Sequence, residues 1–233
     1  MALSCLFSPR FLAFIVVLSA IPVAIIVSLE RAQPATHVYH YHSKGWFREC
    51  SKWDADNNRF IVSFIEGGLG VVPVPEKEDS KVPLEEMTVV KELNLSRISS
   101  AGLTIDRTRN RVLVVYVDAL GYRFGAVGAY DLSTWNRIFL TQLAGPNDEK
   151  SIANDVAVDA KGNAYVTDTK ASKIWKVGVD GKLLSTIRNP LFTPKEWHRI
   201  PTTTTIKDGK VYINHAAGIG YPRKKYAIVE APF

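Results

Sequence analysis

Apolar and polar residues alternate in short runs along most of the chain, and the runs stop at turn-forming residues. In "SIANDVAVDAKGNAYVTD", residues 151–168, an alternating run leads into Asp-Ala-Lys-Gly-Asn and then a second run rich in Val, Tyr and Thr. Gly and Asn tolerate the positive φ that a hairpin loop demands, so the segment predicts a β-hairpin with Asn154 and Asp155 at its entrance. The same pattern occurs upstream in "ECSKWDADNNRFIVSF" from Glu49 and in "AGLTIDRTRNRVLVVYVD" from Ala101. The turn Asp falls at 54, 106 and 159 and the Asn opening the second run at 58, 110 and 163, so both landmarks recur after 52 and then 53 residues. A shorter fourth copy, "TTTTIKDGKVYINHAAG", places Asp208 49 residues after Asp159.

Each repeat has room for four short strands. In the third copy they are predicted near residues 155–159, 164–168, 173–178 and 183–188, and in the second near 102–106, 112–118, 125–131 and 137–143. Four strands per unit at a period of about 40 to 50 residues predict the blades of a β-propeller. The repeats are read as residues 45–98, 99–150, 151–198 and 199–233, within an all-β domain over residues 36–233. "PVPEKEDSKVPLEE", residues 73–86, reads as an exposed loop inside the first repeat. "THVYHYHSKGWF", residues 36–47, is expected to supply an outer strand that pairs with strands near 211–215 and 226–230.

The first 35 residues follow a different pattern. Residues 11–29 carry no charge and are preceded by Arg10. A hydrophobic helix is predicted there, either an uncleaved signal anchor or a signal peptide, since no clean small-x-small cleavage site follows. Both place the remainder in the secretory pathway: vacuole, endoplasmic reticulum lumen or extracellular space. The sequon Asn94-Leu95-Ser96 fits a glycoprotein of that route. The two cysteines, Cys5 in the leader and Cys50 in the domain, leave no disulfide within the folded part.

The net charge of +6 is spread among alternating acidic and basic residues, and the one tight cluster is Arg223-Lys224-Lys225. A basic stripe with interleaved aromatics is missing, which argues against a nucleic-acid partner. "EGGLG" at Glu66 to Gly70 lacks the Lys and helix of a phosphate-binding loop, and no Ser-His-Asp arrangement is recognisable.

Side chains at one repeat position converge on a propeller's axis. Counting five residues back from each turn Asp gives Glu49, Ala101, Asn154 and Thr203. Glu49 and Asn154 supply the carboxylate and amide oxygens that Ca²⁺ takes. Asp155 is expected beside them, orienting a ligand or adding charge. His37, His40 and His42 lie on an outer strand and are not read as a metal site, and the tryptophans are read as blade packing.

"E-x3-W-D" at Glu49 to Asp54, followed by "ND-V-A-V-D-x2-G-N-x-Y-V-T-D" at Asn154 to Asp168, resembles the gluconolactonase/regucalcin/LRE-like superfamily of six-bladed propellers. The similarity is to its plant branch, described as calcium-dependent phosphotriesterase-like, with strictosidine synthase-like proteins and paraoxonases as more distant relatives. It covers residues 45–197 and the C-terminal "DGKVYINHAAGIGYPRKKYAIVEAPF". The resemblance implies a six-bladed design and a channel Ca²⁺ held by a first-blade Glu, matched by Glu49, and by middle-blade Asn residues, one matched by Asn154. Nothing matches the later Asn and Asp ligands, because "NPLFTPKEW" runs through "HRIPTTTTIKDGK" straight into the terminal segment. The chain therefore reads as an incomplete propeller of about four blades, shortened by roughly two, as an isoform would be.

The implied function is a lactonase or phosphotriesterase-like hydrolase acting on a small-molecule ester, lactone or phosphotriester, inactive in this chain if the ligand set is too small. One alternative is a non-catalytic propeller that binds a small molecule or a protein. Another is a strictosidine synthase-like, metal-independent enzyme, which needs a catalytic carboxylate in a later blade. No catalytic residue is assigned.

Overall fold

The computed structural model describes residues 8–30, 38–45, 47–76, 82–92, 98–188, 201–215 and 228–231. The chain separates into two compact units, Met1–Tyr39 and His40–Phe233. In the first, one helix, α1 (Pro9–Glu30), carries Pro22 inside it. Its 22 residues extend about 33 Å at the usual helical rise. Large apolar residues such as Phe14, Val17, Ile21 and Ile25 are all exposed. The side chains of α1 are described without a break only over residues 13–27, and among the described residues no helix is long and apolar enough to cross a membrane. The membrane anchor therefore has no support beyond the sequence pattern. Asn94 lies outside the described residues.

The second unit is an incomplete β-propeller. Blade I has β2 (Arg48–Asp54), β3 (Arg59–Phe64), β4 (Leu69–Pro73) and β6 (Met87–Val90). Blade II has β7 (Ser99–Asp106), β8 (Arg111–Val117), β9 (Gly125–Asp131) and β10 (Arg137–Ala144). Blade III has β11 (Ala153–Val158), β12 (Ala164–Asp168), β13 (Lys173–Val177) and β14 (Leu183–Arg188). Blade IV has three described strands, β15 (Pro201–Lys207), β16 (Lys210–His215) and β17 (Ile228–Glu230). Each blade is an antiparallel sheet of neighbours in chain order.

Two expectations change here. Among the described residues the N-terminal segment pairs elsewhere than with the C-terminal strands: β1 (Tyr41–His42) runs parallel to β5 (Leu84–Glu85). The His42 ring also meets the Glu85 carboxylate at 2.8 Å. The predicted loop at 73–86 accordingly ends in a short strand, because residues 84 and 85 offer their backbone to this pairing.

The blades pack face to face because their middle strands are apolar on both sides. On β8, Val112, Val114 and Tyr116 face blade I, joining Ile61, Leu69 and Val71. The alternate residues Leu113, Val115 and Val117 face blade III, joining Val156, Val166 and Trp175. This explains the continuous "RVLVVYV" run: strict alternation is lost when both faces are buried. Blades III and IV meet through a smaller described core of Tyr165, Ile174, Val211, Ile213 and Ala231.

The first turn of each repeat has a second job. Asn58 and Asn110 take left-handed conformations, φ 46° and 48°, that place an Arg immediately after each. The guanidinium of Arg59 bonds the buried Asp54 at 2.8 Å and the carbonyl of Leu132 in blade II at 2.7 Å. Arg107 reaches back from blade II to Asp54, Asp56 and the carbonyl of Trp53. Arg111 repeats the device: it bonds Asp106 at 3.0 Å and, in blade III, the carbonyls of Gly162 and Val179 at 2.7 and 2.8 Å. In the third turn the left-handed residue is Gly162, φ 88°, one position earlier than Asn163. Asn163 instead donates from its backbone and side chain to Asp159, both at 2.9 Å.

Candidate functional site

The four first strands share one irregularity. On β2, Arg48 pairs with Phe64 and Ser51 with Val62, so three steps oppose two and Glu49-Cys50 forms a bulge. On β7 the shift lies between Ser100 and Leu103, enclosing Ala101-Gly102. On β11 it lies between Ala153 and Val156, enclosing Asn154-Asp155. The register of β15 shifts between Pro201 and Thr203. A bulge inserts one residue, bends the strand and re-aims its side chains. Every candidate ligand read from the sequence therefore sits on a bulge.

In blades I and III the extra residue leaves a backbone N–H without its ladder partner, and a hydroxyl on the next strand accepts it. The Cys50 N–H donates to Ser63 Oγ at 3.1 Å, and the Asp155 N–H donates to Thr167 Oγ at 3.2 Å. Both hydroxyl residues are fully buried, so without them the bulge would hold an unsatisfied donor in the blade.

Asp155 is the residue through which the inner strands meet. It stands on β11 and is half-buried. The backbone N–H groups of Val156 and of Thr204 on β15 of blade IV favour its charged form. Toward blade II it fills the space over Gly102: a Cβ there would collide with Asp155 Oδ1 and lie 2.7 Å from its Cα. Toward blade I its charge acts on Glu49.

Both carboxyls are held above the ordinary carboxylate range. For Glu49 the larger cause is loss of solvation and the second is repulsion by Asp155. For Asp155 loss of solvation outweighs its two backbone donors and the attraction of Lys52. The thiol of Cys50 is raised as well, first by burial, against the lowering effect of a hydrogen bond from the Leu103 backbone. A negative charge on Asp155 thus opposes one on Glu49 in partly desolvated surroundings, an effect that a cation would relieve.

The sequence reading placed Glu49 and Asn154 as ligands and Asp155 behind them. The structure brings Glu49 and Asp155 within each other's field and gives Asp155 the central position. Asn154 is half-buried, and its backbone carbonyl lies against Gly102. Ala101 brings no ligand, and the side chain of Thr203 lies outside those described. Among the described residues no three His, Cys, Asp or Glu side chains are grouped to hold a metal ion.

No known family's sequence profile matches the chain, and no curated protein matches it. Solved structures do. The Cps50 (Swd1) β-propeller domain of Myceliophteria thermophila aligns with a TM-score of 0.55 at 9% identity, covering 83% of this chain and 55% of that one. The major allergen Mala s 1 of Malassezia sympodialis aligns with a TM-score of 0.51 at 15% identity, covering 76% and 58%. A protein of unknown function from Bacteroides caccae aligns with a TM-score of 0.49 at 11% identity, covering 81% and 62%. The chain therefore spans 55% to 62% of the length of these three. At such identities the likeness is one of fold, and that fold is the propeller.

Proposed function

We propose that the bulges of the inner strands form a cation site, with Ca²⁺ the ion that suits it, and that the protein is a hydrolase-like propeller acting on a lactone, ester or phosphotriester. The observation that carries the cation site is the pair Glu49 and Asp155, two carboxylates raised by desolvation with one acting on the other. The donor chemistry fits calcium in part: two carboxylates and the Asn154 amide are hard oxygen ligands, and water must complete the six to eight that the ion takes. Bound there, the ion would supply Lewis-acid polarisation of a carbonyl or phosphoryl oxygen. The hydrolase reading rests on the motif resemblance around Glu49 and Asn154.

A second reading, a propeller that binds without catalysis, is favoured by the lack of a third grouped carboxylate among the described residues. Calorimetric titration of the chain with Ca²⁺, beside Glu49→Gln, Asp155→Asn and Asn154→Ala, tests the site. Micromolar binding lost in the first two variants, with calcium-dependent cleavage of a lactone or phosphotriester, supports the hydrolase. Binding without cleavage supports the second reading, and a folded chain that binds no calcium rejects the cation site. Targeting of the chain by residues 11–29 is proposed from the sequence, and export of a reporter fused to them tests it.

A further inference from the structure

We propose that a cavity of about 310 Å³ between blades III and IV binds a guanidinium group. The other two junctions show what such a place holds. Across the first hairpin of blade I Asp54 faces Arg59, and in blade II Asp106 faces Arg111. Each arginine gives Nε–H to its own Asp, at 2.8 and 3.0 Å, and terminal N–H groups to carbonyls of the next blade. A second guanidinium shares each carboxylate, Arg107 on Asp54 and Arg109 on Asp106, both at 3.3 Å.

Blade III has the hairpin without the guanidiniums. Its turn is shorter, so the Asp159 N–H bonds the Asn163 carbonyl and Asn163 is the residue that faces the turn Asp. Lys161 stands directly before the left-handed residue, where blade II has Arg109. The Asn163 amide donates to Asp159 Oδ2 at 2.9 Å and ends there, short of the next blade. The other donors to the Asp159 carboxylate are neutral as well, the Asn163 N–H at 2.9 Å and the Tyr165 hydroxyl at 3.0 Å.

On the far side, Gly209 repeats Gly162. Both precede the second strand of their blade with left-handed φ, 74° and 88°. A Cβ on Gly162 would collide with the Arg109 guanidinium, and the Gly162 carbonyl takes Arg111 at 2.7 Å. A Cβ on Gly209 would meet nothing within 4 Å. The space that arginines of blade II fill against blade III is therefore open against blade IV, and Asp159 and Gly209 both line it.

The lysines of the wall do not bar a further cation. Lys210 closes on Glu230 at 3.0 Å, Lys176 Nζ lies 5.4 Å from the centre of the Tyr165 ring, and Asp106 already carries two guanidiniums. A planar guanidinium can meet a carboxylate and a carbonyl with one fork of donors, whereas an ammonium is a point charge. The volume stands at the low end for ligand pockets, so the occupant is an alkylguanidinium, either a small molecule or the arginine side chain of a peptide.

Calorimetry and thermal shift on the full chain, with butylguanidinium against butylammonium, test the assignment. Saturable binding of the guanidinium, at least tenfold tighter than that of the ammonium, is expected. Asp159→Asn removes the charge and is expected to weaken binding at least tenfold. Asn163→Arg supplies the group from the chain itself, so it is expected to raise the melting temperature and abolish binding. Glu49→Gln is expected to bind unchanged, which separates this cavity from the proposed calcium site. A doubly capped arginine distinguishes the sources: binding at least as tight as butylguanidinium assigns the cavity to a peptide, and weaker binding assigns it to a small molecule. Equal binding of the ammonium, undiminished binding by a folded Asp159→Asn or Asn163→Arg, loss of binding in Glu49→Gln, or no binding by the wild type would each overturn the proposal.

Discussion

Blades II and III are joined differently from blades III and IV. At the first interface Arg111, buried and paired with Asp106, crosses to two carbonyls of blade III, and Arg109 adds a bond to the carbonyl of Ala160 at 2.8 Å. At the second, the position equivalent to Arg59 and Arg111 is Ala164. The landmark Asp159 then serves only its own blade, held by Asn163 and by the hydroxyl of Tyr165 at 3.0 Å. Among the described residues, the links across to blade IV include the Thr204 hydroxyl on the carbonyl of Tyr165 at 3.2 Å and the Thr204 N–H acting on Asp155. A cavity of about 310 Å³ lies between the two blades, lined by Asp159 and Lys176 on one side and by Lys210 and Glu230 on the other. One residue after the turn therefore decides whether the turn Asp couples two blades or merely closes a hairpin.

The largest effect is expected from Arg111→Ala. It strands the buried Asp106 and removes two inter-blade bonds, so a loss of about 3–5 kcal/mol is expected in urea unfolding. If it costs no more than a change at the III/IV interface, the contrast between the interfaces fails. Gly102→Ala comes next, because its Cβ must displace Asp155 or the β11 backbone. A loss of about 1–3 kcal/mol is expected. Combining it with Asp155→Ala should recover part of that loss in a double-mutant cycle.

Tyr165→Phe removes one hydroxyl from Asp159 and should cost about 1 kcal/mol. Its mark is selective: hydrogen exchange should quicken in β11 and β12, the hairpin that the bond closes, and stay unchanged in β7 and β8. The smallest effect concerns pH. Glu49 and Asp155 have folded-state values above their unfolded ones, so their contribution to stability is full at low pH and is lost as pH rises through the raised values. The wild type should thus lose stability relative to Asp155→Asn as pH rises above the ordinary carboxylate range. Saturating calcium should offset the loss in the wild type and leave Asp155→Asn unchanged, and melts across that range check both statements.

The strand spans of blades II and III were legible because turn chemistry and period-2 patterning are local. Those read at 125–131, 164–168 and 183–188 stand where β9, β12 and β14 are found. The bulges were not legible, since a bulge is a mismatch with a partner strand and leaves no period of its own. Counting five residues back from each turn Asp pointed to Asn154 with Asp155 beside it; the packing of Asp155 over Gly102 and its influence on Glu49 depend on the bulge and could not be read that way. The Arg couplers had a readable signal: Arg59 and Arg111 each follow a landmark Asn at the repeat period. The pairing of β1 with β5 had none, because two residues of extended chain carry too little pattern to name a partner.

The hydroxyls of Ser63 and Thr167 bear on how such a fold diversifies. By taking the stray N–H of each bulge, they complete the hydrogen bonding of the blade without calling on the side chains at the bulge itself. Those positions hold Glu-Cys in blade I and Asn-Asp in blade III, on the same backbone distortion. In those two blades the side chains at the bulge can change without unsettling the sheet behind them, whereas in blade II the bulge residue Gly102 is kept small by Asp155 of its neighbour, so substitution there is tied to the next blade.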